Sequence, residues 1–177
     1  MTASNPASAT LACVRFLRSQ PAVTADLQRQ ADGTHAIFHT RFQGLTVEGS
    51  GKTALLVAQS GRALQRFDGF GRVLLHVEAW SDPSRNAQGA LAAYDQDEKA
   101  LQHLERVIEA VSIQRRPFQE AGTWQSAVWW PEEGADGALR VVDCSLLTEP
   151  TEVKLPGDQK QADGLARYRV FFEVCYG

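Results

Sequence analysis

Basic charge, cysteine and long apolar runs are all scarce in this chain, and each shortage excludes a class of function. Eighteen Lys and Arg stand against 21 Asp and Glu, a formal net charge of -3 with a pI near 5.8. That balance excludes a generally basic nucleic-acid binder, although a local basic patch is compatible with an acidic average. The three cysteines, Cys13, Cys144 and Cys175, are odd in number, far apart and form no C-x-x-C pair. Such spacing argues against a disulfide scaffold or a zinc knuckle, and for small apolar fillers in a reducing compartment. No stretch approaches the roughly 18 to 20 consecutive apolar residues of a membrane span. Residues Met1 to Ala9 are polar rather than basic and then apolar, unlike a secretion signal. The chain is therefore expected to be soluble and unsecreted, with no membrane partner.

What is present is apolar material for one core. At 177 residues and 44% apolar composition, with a mean hydropathy of -0.27, the chain reads as a single domain over 1–177. The stretch from Gly71 to Ser112 organises it. In Gly71 to Trp80, Val73, Leu75, Val77 and Ala79 share one face, and Leu74, His76, Glu78 and Trp80 share the other. That period of two predicts a strand buried on at least one side. Ser81-Asp82-Pro83-Ser84 supplies capping oxygens and a proline suited to a first helical turn. Beyond it, Tyr94, Leu101, Leu104, Ile108 and Val111 form a stripe at three- and four-residue steps. A helix with that stripe needs a sheet to lie on, and basic Arg115 and Arg116 before Pro117 suit its negative C-terminal end.

Around this unit the chain predicts an N-terminal helix from Pro6 to Ser19, with Ala7, Leu11, Val14 and Leu17 on one face and Pro21 as its stop. The polar stretch from Ala22 to Gly33 is anchored by Val23 and Leu27. Strands are expected over His35 to Phe42, Ala54 to Ala58, Thr123 to Trp130, Leu139 to Leu147 and Arg167 to Tyr176. In the last, Tyr168, Val170, Phe172 and Val174 oppose Arg167, Arg169, Phe171, Glu173 and Cys175. The second of these faces is free to be wet or an interface. Between Leu147 and Gly164, two prolines, two glycines and six charged side chains in eighteen residues predict a projecting loop or arm.

Several motifs invite chemistry. Gly49-Ser-Gly-Lys52-Thr53 matches the second half of a phosphate-binding loop, but the first glycine is missing, since Thr46 stands five residues before Gly51. Such a loop requires a helix after it, with its N-terminus facing the phosphates. Ser60-Gly61 would break that helix after two turns. His35 and His39 share a face if the segment is a strand, yet at about 13 Å apart they cannot hold one ion. His76 and His103 have no sequence-local partner. The acids Asp95, Asp97 and Glu98, and Glu132 with Glu133, sit in polar runs that read as solvated. No Gly-x-Ser-x-Gly elbow occurs. Nothing here points to an enzyme, a metal or a cofactor. What stands out is aromatic: Trp124, Trp129 and Trp130 crowd into seven residues. Of the adjacent pair, one is expected in the core and the other beneath the arm or at a subunit contact, where tryptophan is enriched. With Phe171 on the second face of the last strand, these residues are the candidate subunit interface.

The order of these pieces carries a resemblance. An N-terminal helix, a short apolar strand running into Ser60-Gly-Arg62, a strand ending in Val77-Glu-Ala-Trp80-Ser, an amphipathic helix and a closing Arg167-Tyr-Arg-Val-Phe-Phe-Glu-Val174 strand resemble the tail terminator proteins of long-tailed bacteriophages and related tail-like particles. The resemblance implies an α+β subunit, a mixed or antiparallel sheet packed against one long and one N-terminal helix. It further implies a homo-oligomeric ring, a hexamer, that caps the tail tube protein, stops its polymerisation and joins it to the head connector or stopper protein. Such a subunit is assembled in the bacterial host cytoplasm and resides in the virion at the head-tail interface. DNA would pass through the lumen without specific binding, and an acidic wall would let it slide. Another head-tail connector or completion protein is the nearest alternative. A small nucleotide-binding enzyme using Lys52 and Thr53, and an adaptor with a peptide groove, are the alternatives of other classes.

Overall fold

A computed structural model describes the backbone of residues 6–39, 52–61, 64–65, 71–82, 95–113, 118–120, 123–125, 128–131, 138–153 and 166–176, and the side chains of 9–39, 52–61, 71–82, 95–112, 141–153 and 166–176. The first helix, α1 (Pro6–Arg18), ends where the Ser19 hydroxyl turns back to the Phe16 carbonyl at 2.6 Å and Pro21 opens a single turn, α2 (Pro21–Thr24). Ala9, Thr10, Ala12, Cys13, Val14, Phe16 and Leu17 are all buried, whereas Leu11 is half-buried. The narrow stripe through Ala7, Leu11, Val14 and Leu17 is thus widened, because small Ala9, Ala12 and Cys13 let the helix sit deep. Val23 and Leu27 anchor the polar stretch as expected, both buried.

The main sheet is built from β1 (Ile37–His39), β2 (Thr53–Gln59), β4 (Gly71–Ser81), β10 (Ala166–Tyr176), β8 (Ala138–Leu146) and β7 (Val128–Pro131), hydrogen-bonded in that order. Short β3 (Leu64–Gln65) adds to β4, and β9 (Thr151–Glu152) adds to β10. β1 and β2 run parallel and the other pairs antiparallel, so the sheet is mixed. The alternation in β4 and β10 holds except at Glu78, which is buried on the outer face, and Tyr168, which is only half-buried on the inner one. Val73, Leu75, Val77, Ala79, Val170, Phe172 and Val174 are buried in one cluster with α1 and the long helix α3 (Asp95–Ile113). Both helices therefore cover the same face of the sheet, and the domain is α+β.

The stripe of α3 is rotated from the predicted one. Ala100, His103, Leu104, Val107 and Val111 are buried, while Leu101 and Ile108 are only partly so. Ala100 has no bulk to hold the helix off the sheet, and His103 is admitted because its Nε2 meets the Ala25 carbonyl at 3.1 Å. Fully burying each of the large apolar residues on this stripe stabilises by roughly 1.5 to 3 kcal/mol. Tyr94, Pro83, Ser84, Arg115, Arg116 and Pro117 lie outside the described residues.

Two segments differ from the sequence-based expectation. The single strand expected over Thr123 to Trp130 is two: β6 (Thr123–Gln125) pairs with β5 (Phe118–Glu120) in a separate two-stranded sheet, while β7 joins β8. One apolar run is shared between two partners, which its composition could not reveal. In the stretch beginning at Leu147, Leu147 N–H donates to the Phe171 carbonyl at 2.9 Å and Val153 N–H to the Arg167 carbonyl at 2.9 Å. Residues Leu147–Val153, with β9 among them, thus continue the line of β8 along β10; residues 154–164 lie outside the described residues.

Candidate functional site: the sheet face away from the helices

Strand register decides which side chains meet on the face away from α1 and α3. β4 offers Arg72, Leu74, His76, Glu78 and Trp80, and β10 offers Arg167, Arg169, Phe171, Glu173 and Cys175. The pairing sets Arg167 against Trp80, Arg169 against Glu78 and Phe171 against His76. Each of these pairs makes contact. The Arg167 guanidinium lies 3.8 Å from the centroid of the Trp80 ring, Arg169 Nη1 stands 3.9 Å from Glu78 Oε1, and the Phe171 and His76 rings are tilted with centroids 5.7 Å apart. Arg72 pairs diagonally with Glu173 at 3.4 Å.

Glu78 is the hub. It is buried, accepts from Trp80 Nε1–H at 3.0 Å and lies 3.7 Å from His76 Nε2. Burial holds the His76 pKa below its ordinary value; the Glu78 charge opposes that shift and Arg169 adds to it. The Ser60 hydroxyl is hydrogen-bonded to His76 Nδ1, so Ser60, His76 and Glu78 line up in the order of a nucleophile, a base and an acid. The alignment is not a relay. At 3.7 Å Glu78 Oε1 is beyond hydrogen-bond distance of the imidazole, and it is the other oxygen, Oε2, that accepts from the indole. Nearer β1, Ala36, Phe38, Ala54 and Leu56 form a second small apolar cluster. This face is therefore a strip of paired charge and aromatic rings beside a buried apolar cluster.

The phosphate-loop reading meets a structural obstacle at Thr53. Lys52 leads into strand β2 rather than into a helix. The Thr53 hydroxyl is buried against the Ser81 hydroxyl at 2.9 Å, where it cannot ligate a magnesium ion carried by a phosphate. Gly49 to Gly51 lie outside the described residues. His39 is exposed at the end of β1, and His35 lies before it, bridged to Arg29. Among the described residues no three His, Cys, Asp or Glu side chains converge as metal ligands. Cys13 and Cys144 are buried in the core, and burial pushes the Cys13 thiol up to about 12. No helix among the described residues is long and apolar enough to cross a membrane.

The expected interface residues fall on separate strands. Trp124 is in β6 opposite Gln119, while Trp129 and Trp130 are in β7 opposite Arg140 and Leu139. The side chains of these tryptophans lie outside the described residues. Phe171 is half-buried in β10, with Arg169 5.6 Å from its ring centroid. The hub at Glu78 is not legible in the sequence because one of its partners, Arg169, comes from a strand some ninety residues away. The one local signal was the i, i+2 series His76, Glu78, Trp80 on the face opposite the core.

No protein-family model matches this chain, and no curated protein matches it by sequence. Among solved structures, a chain of the "Virion of native gene transfer agent (GTA) particle" is similar in fold, with a TM-score of 0.51, 13% identity and 98% of each chain covered.

Proposed function

We propose that this chain is a structural subunit of a phage-like particle, and that within the particle it is the tail terminator. Six copies form a ring on the last ring of the tail tube, stop its growth and present the surface that meets the head connector or stopper protein. The observation that carries this reading is the likeness of fold, end to end in both chains, to a chain of a gene transfer agent virion. The order of elements named in the sequence supports the same role, and so does a sheet with both α1 and α3 packed against one face. On this reading the chain performs no reaction and needs no cofactor. Its edges and its aromatic residues, Trp124, Trp129, Trp130 and Phe171, are covered by neighbouring copies, and DNA passes through the lumen unbound. A connector or completion role in the same particle is the second reading, supported by the same likeness.

Deleting this chain from a particle-producing host tests the proposal. Tails of uncontrolled length, unattached to heads and returned to normal by the restored chain, are the expected result. Tails of normal length joined to heads would overturn it. Tails of normal length left unattached would favour the connector reading.

A further inference from the structure

We draw no further inference here: the strongest candidate, the surface patch at the β9 end of the main sheet where Leu147 stands exposed on the segment held along β10, carries nothing, because nothing in the structure shows what covers it.

Discussion

Gly71 and Tyr176 are paired across β4 and β10, and the tyrosine ring lies directly over the glycine, in the space a Cβ would occupy. An aromatic ring laid over a strand glycine restores the side-chain packing that the glycine itself cannot supply. Both residues are buried, so the ring has little room to retreat.

Gly71→Ala should therefore destabilise the fold by about 1 to 3 kcal/mol, the usual cost of overpacking. Urea denaturation measures this. In a Tyr176→Ala background the same change should cost much less, because the obstructing ring is gone. Equal costs in both backgrounds would show that the ring is not the obstacle.

Glu78 predicts a graded series. Glu78→Ala removes the acceptor of Trp80 Nε1–H, and an unsatisfied donor in a largely buried site costs about 1 to 3 kcal/mol. Glu78→Gln keeps an acceptor oxygen for the indole and loses only the charge facing Arg169 and His76, so it should cost less. A glutamine variant as unstable as the alanine variant would assign the effect to charge alone.

His103 sets a pH dependence. Burial lowers its pKa; the hydrogen bonds to the Lys99 and Ala25 carbonyls oppose that shift, Arg106 adds to it and Asp26 opposes it. His76 is lowered as well. When the folded pKa lies below the unfolded one, both states are neutral at high pH. As pH falls below the ordinary value of 6.5, the unfolded chain takes up protons first and stability drops. The loss levels off below the folded pKa. Melting temperature should thus decline from about pH 7.5 toward about pH 5, a range that spans histidine titration, and His103→Gln should flatten the decline. A melting temperature that rises on acidification would show that the two carbonyls outweigh burial.

Thr53 separates a structural from a nucleotide role. Its hydroxyl is buried with that of Ser81, so Thr53→Val should lower stability by about 1 to 3 kcal/mol by leaving its partner unsatisfied. Calorimetric titration with ATP and magnesium should show no heat of binding to the wild type. Saturable binding that disappears in Lys52→Ala would contradict the assembly account.

Much of the fold was legible because its central pieces obey short-range periods. The alternation of Val73 to Ala79 and of Val170 to Val174 marked the two inner strands, and the run Ala54 to Ala58 marked β2. What failed did so where a local period was not the deciding term. The α3 stripe shifted because Ala100 is valued for its smallness and His103 for a partner 78 residues away. Thr123 to Trp130 was divided because two segments elsewhere compete for it, and β9 went unseen because two polar residues join the sheet only through main-chain pairing with Tyr168 and Arg169. The Ser60, His76 and Glu78 alignment was likewise hidden. It exists only once β2 and β4 are in register, a non-local fact.

The central claim is a place in a particle, and imaging that place tests it most directly. Cryo-electron microscopy of intact particles carrying a tagged copy of this chain should find the tag in a single ring of six where the tail meets the head. Tags spread over the capsid or along the tail tube, or particles that lack the chain altogether, would contradict it.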